Sequence, residues 1–273
     1  QGAVTVDNGG TGIDFSAADL VINADGVGGA VTIADGIDLS GAAGRSLTVN
    51  GSDVVADPTT VGAVDRNVEI RTRGGTVTID DVIELAGDGG EVVTIDTTDG
   101  DPAGATITFG PTAGTGAIDG TTSDGTPAGG QSLTVDAGTG GSIAFDGAVG
   151  QVTPVGVLTI AGSAPGPAPS GAVFAGAVSA AELAVTAAAA TLGGQTSIGG
   201  DLTIGAGGEL VTGAHTVSVG GDADFSAGTY TAGSGTLRLD GTAAQAVNTG
   251  GFANDLGTVV VEGGSRTVTL GAD

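Results

Sequence analysis

The chain has 273 residues, with 31 Asp and Glu against six Arg and no Lys, a net charge of −25, and no Cys, Met or Trp. That balance excludes a nucleic-acid interface, which needs a basic footprint, and docking on anionic lipid. The missing thiols exclude disulfides, zinc-thiolate centres and a cysteine nucleophile.

Hydrophobic residues make up 40% of the chain but aromatics only 3%. The core must therefore come from Val, Ile, Leu and Ala, which suit short stacked strands. The 56 glycines lack a collagen period and read as turn residues between β-branched triplets. Gln1 in place of an initiator Met points to a processed chain or a segment of a longer one. No run approaches the roughly 18 apolar residues of a membrane span, so no membrane insertion is expected.

Taken in order, the first strand signal is Ala3–Val6. Gly12-Ile13-Asp14-Phe15-Ser16 is then echoed 24 positions later by Gly36-Ile37-Asp38-Leu39-Ser40. A stronger echo joins 31–49, VTIADGIDLSGAAGRSLTV, to 77–95, VTIDDVIELAGDGGEVVTI, 46 positions apart. It reads as two turns of a repeat of 23 to 24 residues, a period at which one unit cannot bury its apolar face alone and must stack.

Apolar triplets continue the pattern at Leu20-Val21-Ile22, Leu47-Thr48-Val49, Val68-Glu69-Ile70 and Val93-Thr94-Ile95. Further on they recur at Leu133-Thr134-Val135, Leu158-Thr159-Ile160 and Leu183-Ala184-Val185, each 25 residues apart. Leu202-Thr203-Ile204, Leu237-Arg238-Leu239, Val259-Val260-Val261 and Thr267–Leu270 complete the series. The outer residues of each triplet share one face and the middle one points away, so Thr is expected outside and Val, Ile or Leu inside. Ala177–Ala190, although Ala-rich, reads as strand.

The 40 positions from Val93 to Leu133 exceed one coil and predict an insertion or a weakly marked coil. Residues 110–130 are read as that excursion. Residues 163–171, SAPGPAPSG, carry three alternating prolines that cannot donate to a ladder. They mark a soft boundary between an acidic part, 1–162, and a smoother part, 172–273. Residues 1–150 alone hold 22 of the acids. Primed two-residue turns are scarce, which disfavours hairpins. The expected architecture is all-β: one continuous parallel β-solenoid over 1–273, of about 11 coils with one or two side loops. At about 4.8 Å per coil it is roughly 50 Å long.

The stretches Gln131–Ile160, QSLTVDAGTGGSIAFDGAVGQVTPVGVLTI, and Ser234–Asp273, SGTLRLDGTAAQAVNTGGFANDLGTVVVEGGSRTVTLGAD, resemble the repeats of bacterial β-strand-repeat surface proteins. These are the filamentous-haemagglutinin-like and autotransporter-passenger-like adhesins. The resemblance covers about two-fifths of the chain, and its motifs are compositional. It implies a single-stranded right-handed parallel β-helix and an extracellular or cell-surface location. It further implies a structural role in an adhesin, fibre or sheath, with no catalytic residues to carry over. Copies of the protein or the continuing chain, end to end, are the expected partners, because strand signals reach from Ala3–Val6 to Thr267–Leu270 with no capping helix or charged lid at either end; a host or cell-surface glycan is a further expected partner.

Three other chemistries have partial support in the residues. Polysaccharide-binding or polysaccharide-degrading β-helices need clustered carboxylates; Asp80-Asp81, Asp99-Gly100-Asp101 and Asp222-Ala223-Asp224 come closest, without aromatic sugar platforms. Calcium, which takes several oxygens, is admitted at Asp80, Asp81, Asp99, Asp101, Asp222 and Asp224 by charge rather than by motif, and no cofactor is required. Thr76-Val77-Thr78 and Thr106-Ile107-Thr108 have the outward-Thr order of ice-binding solenoids. Arg66, Arg71 and Arg73 form the one basic cluster, read as salt-bridged to Asp65, Glu69 or a neighbouring coil. His215 stands alone, and Asn50-Gly51-Ser52 is a turn before it is a glycosylation sequon.

Overall fold

In the computed structural model the chain winds into a parallel β-solenoid, and among the described residues every regular element is a strand. The structure describes residues 4–6, 13–14, 19–23, 30–33, 37–39, 46–50, 53–56, 68–79, 83–85, 92–99, 101–110, 118–120, 131–162, 171–251, 254–262 and 267–271. The described strands fall on three faces of the coil. Val4–Val6, Ala30–Ile33, Asp53–Ala56, Ile83–Leu85 and Ile118–Gly120 stack in parallel as the first face. The second runs through Ile13–Asp14, Ile37–Leu39, Val68–Thr72, Val92–Asp96, Ser132–Asp136 and Val155–Gly162 to Val178–Val185. The third runs from Leu20–Asn23 through nine strands to Thr229–Thr231.

The eight-residue strand Val178–Val185 turns a corner and joins two faces. Its first half pairs with Thr196–Ile198 and its second with Leu202–Ile204. Single bridges from Ile118 to Val149 and from Val149 to Val178 carry the first face across to it. Eleven strands follow one another along the longest path, one per coil.

Most of the triplets behave as their alternation requires; Val259-Val260-Val261 does not, since Val259 and Val261 are exposed. Val77–Ile79, Ile107–Phe109 and Leu202–Ile204 each bury their outer residues and hold the middle Thr at the surface. Leu133, Leu158 and Leu183 are direct neighbours, as are Ile13 and Ile37. Within 177–190, Val178–Val185 and the start of Ala189–Leu192 are strand.

The 46-residue echo, by contrast, is not two coils. Residues 31–49 supply the first, second and third faces in that order, whereas 77–95 begin on the third face and continue onto the first and second. Ile37 pairs with Ile70, while Ile83 pairs with Val54. The repeat records the strand unit, which recurs three times per coil, and not the coil itself. The interval from Val93 to Leu133 is one coil with an insertion, since the two residues are paired. Ile118–Gly120, inside the predicted excursion, is a first-face strand with Ile118 and Gly120 buried. Gly110 is described and buried; the rest of that excursion, and residues 163–170, lie outside the described residues. Pairing runs across the proline-rich stretch on two faces, from Leu158 to Leu183 and from Ile143 to Ala172.

The core is a set of columns in which like packs on like. On the third face Val49, Ile79, Phe109, Phe145, Phe174 and Leu192 follow in register. The three phenyl rings stack nearly parallel, with centroids 5.0 Å and 4.4 Å apart. One column contains a misfit. Thr196 lies between Val178 and Val217, fully buried, and its hydroxyl has no hydrogen-bond partner. An unpaired buried hydroxyl costs about 1–3 kcal/mol. Thr196→Val is therefore expected to raise stability by about 1 kcal/mol, read as a higher urea midpoint at unchanged slope.

Candidate functional site

The acids are mostly turn formers and rungs. Asp222 N–H donates to Asp201 Oδ1 at 2.7 Å, and Asp222 Oδ1 accepts Ala246 N–H from the following coil at 2.7 Å. Asp224 Oδ1 accepts Ser226 N–H, Asp101 Oδ1 accepts Ala103 N–H, and Asp136 Oδ1 accepts Gly138 N–H. Asp96 Oδ1 takes both the N–H and the hydroxyl of Thr98, each at 2.6 Å. Each within-coil bond joins an Asp to the amide two residues on, the Asx turn that lets the chain leave a strand sharply.

Asp222 and Asp224 flank buried Ala223 and share an outer face, as the Asp-x-Asp spacing requires. Asp99 lies in the turn after Val92–Asp96 and donates its N–H to the Thr72 carbonyl at 3.2 Å. Asp80 and Asp81 fall outside the described residues. Among the described residues no group of three or more His, Asp or Glu gathers as a metal centre would need.

Arg71 forms an ion pair with Glu69 on the same strand, and its column neighbours are Asp38 and Asp96. Arg73 projects from the same side, bridges Thr98, and keeps a buried Nε without a partner. Arg66 and Asp65 lie outside the described residues. Arg238 sits 2.6 Å from Glu262 and 3.6 Å from Asp240 at the surface, where such pairs contribute little. His215 is half-buried at a corner, where its N–H reaches the Thr212 carbonyl and its own carbonyl accepts Thr236 N–H.

Sequence reasoning missed three groups. Gln245 is a buried clamp: its Nε2 donates to the Val219 carbonyl at 2.9 Å and to the Gly221 carbonyl, while its Oε1 accepts Gly241 N–H at 3.0 Å. A Gln flanked by small residues has no signature that separates it from an exposed one.

The second group is Tyr230, stacked on Phe225 at 4.7 Å and fully buried, with a hydroxyl that lacks a partner of ordinary geometry. Burial pushes its phenol up to about 12; the neighbouring Thr212 hydroxyl pulls the other way, and the Asp255 charge adds to the rise. The folded state therefore holds the proton more tightly than the unfolded chain. Stability is complete below pH about 10 and falls by about 3 kcal/mol as pH climbs to about 12. Because Tyr230 is the one Tyr and Trp is absent, tyrosinate absorbance reads this group alone. Tyr230→Phe is expected to abolish its share of the alkaline loss.

The third group is a recess of about 430 Å³ on the outside of the first face. Ser179, Ser197 and Ser218 are in register along its floor, and Gln151, Val152 and Gln195 help to line it. The overhanging loop is tied to Ile118–Gly120. Gly150 N–H reaches the Ile118 carbonyl at 2.7 Å, Val152 N–H reaches Asp119 Oδ1 at 2.9 Å, and Gly120 N–H reaches the Thr153 carbonyl at 3.0 Å.

On the third face, Thr48, Thr78 and Thr108 form one outward column. Ser46, Thr76, Thr106 and Ser142 form a parallel one, with Thr76 Oγ1 3.0 Å from Ser46 Oγ and Thr106 Oγ1 3.2 Å from Ser142 Oγ. The two Thr-x-Thr triplets singled out in the sequence are thus adjacent and in register.

Comparison with family models, with curated proteins and with solved structures found no match.

Proposed function

We propose that the chain is a structural extracellular protein, a β-solenoid segment of a bacterial surface adhesin, fibre or sheath. Its work is mechanical. The observation that carries this reading is the bonding between successive coils: parallel ladders on three faces, reinforced by side-chain rungs such as Asp201–Asp222–Ala246 and the Gln245 clamp. Pulling along the axis must break many such bonds together, which makes a stiff spacer. The resemblance of 131–160 and 234–273 to surface-protein repeats points the same way.

Among the described residues the coil of Thr258–Val261 and Val268–Gly271 pairs on one side only. It leaves Val259, Val261 and Leu270 exposed, the last at 69%. A further coil, from a continuing chain or from another copy, would cover them and lengthen the rod. Immunogold labelling of the producing cells is expected to decorate the surface or fibres extending from it; label confined to the cell interior would overturn the reading. Light scattering with and without Ca²⁺ tests the end-to-end variant, which a monodisperse monomer at high concentration in both conditions would sink.

A second reading has one observation in its favour. The paired hydroxyl columns of the third face are the arrangement with which a flat face can order water, so ice binding is the alternative role. Faceted ice crystals in the presence of the protein, lost in Thr78→Lys, would support it; unshaped discs would remove it.

A further inference from the structure

The recess on the first face is chemically distinct from the acidic surface around it. Its floor carries hydroxyls from three successive coils, Ser179, Ser197 and Ser218, at a repeat of about 4.8 Å. Two amides, Gln151 and Gln195, flank them, and among the described residues no charged side chain lines it. Over one end stands Val152, 84% exposed, the most exposed large hydrophobic side chain among the described residues. The loop that holds it is fastened to the preceding coil by three hydrogen bonds, so the wall is in place before any ligand arrives. The volume falls within the range of small-ligand sites.

We infer that this recess binds a neutral saccharide. Its hydroxyls and amides can each donate and accept, which matches a ligand whose polar groups are all hydroxyls. The methyls of Val152 offer an apolar contact to the C–H side of a sugar ring. Anionic ligands are opposed by the net charge of −25 and by the lack of a cation among the described lining residues. Arg238, next along the serine column, is already engaged by Glu262 and Asp240.

An extended peptide would need an unpaired strand edge. Val178–Val185 and Thr196–Ile198 have none here, since each is bonded to a strand on both sides. With no aromatic platform among the described lining residues, affinity for a disaccharide is expected on the order of 1 mM, useful where many copies act together.

The inference rests on the surface-segment reading for its biological meaning but not for its chemistry. Saturation-transfer NMR with lactose, cellobiose, maltose and a glucuronate-containing disaccharide tests it. At least one neutral sugar is expected to bind, the acidic one to bind more weakly. Ser197→Phe, an exposed position whose new ring fills the recess, is expected to weaken binding by about tenfold or more. Thr159→Phe on the second face is expected to leave binding unchanged, with circular dichroism confirming that both variants fold. No binding by any neutral sugar, equal binding of the acidic one, or indifference to Ser197→Phe would overturn the inference. Those outcomes together with surface label would leave a purely mechanical rod. Sugar binding with label confined to the cell interior would instead remove the surface-segment reading.

Discussion

Phe145→Ala is expected to destabilise the solenoid by about 3–5 kcal/mol, the largest loss from any single side chain described. The ring is the middle member of the stack Phe109–Phe145–Phe174, so truncation removes two ring contacts and leaves a cavity between coils. The flanking strands are held in register by backbone bonds and cannot close inward without breaking them. Phe145→Leu keeps most of the volume and should cost much less. In a stacked repeat protein each coil contacts only its neighbours, so the damage should be local. Hydrogen exchange should show protection lost first in Ile107–Phe109, Ile143–Phe145 and Ala172–Phe174, and last in Thr216–Val219. Uniform loss across all of these would mean the coils unfold as one unit.

Gly104→Ala is expected to cost about 3 kcal/mol or more, for two separable reasons. Gly104 has φ of +63°, where a side chain is strained, and a Cβ there would sit 2.0 Å from the Ala137 carbonyl oxygen of the next coil. Gly213 provides the control. Its φ is +62°, yet a Cβ would meet nothing within 4 Å. Gly213→Ala should therefore cost only the backbone term, about 1–2 kcal/mol. Urea melts of the two variants separate backbone strain from coil spacing; equal losses would show that the corner at Gly104 relaxes.

Much of the fold was legible in the triplets because the inside of a thin solenoid admits few alternatives. A β-branched or leucine pair around Thr, as in Leu202-Thr203-Ile204, can bury only its outer members. The 25-residue spacing of Leu133, Leu158 and Leu183 matched true neighbours because those coils have equal lengths. The 46-residue echo misled because all three faces ask for the same apolar-x-apolar unit, so likeness between segments reports strand type and not face.

Site chemistry was less legible. Asp222 looks like half of a cation pair in the sequence, but its oxygen is committed to Ala246, 24 residues on, a partner no local pattern names. The serines of the recess lie 18 and 21 residues apart, because the corners between them differ in length. Unequal corners erase the period that would have announced them. The Thr-x-Thr triplets could be found because each is complete within three residues.

The insertion between Val93 and Leu133 has a consequence for how the chain acquires its shape. A coil of 40 residues is stacked between coils of 25, and Val93 pairs in register with both Val68 and Leu133. Length at a corner is thus uncoupled from order in the ladder. A finished coil needs only to present its edge, and the next segment to arrive is captured whatever loop precedes it. Such a chain can assemble in the direction of its emergence, from a ribosome or through a secretion pore, each coil serving as the seed for the one behind it.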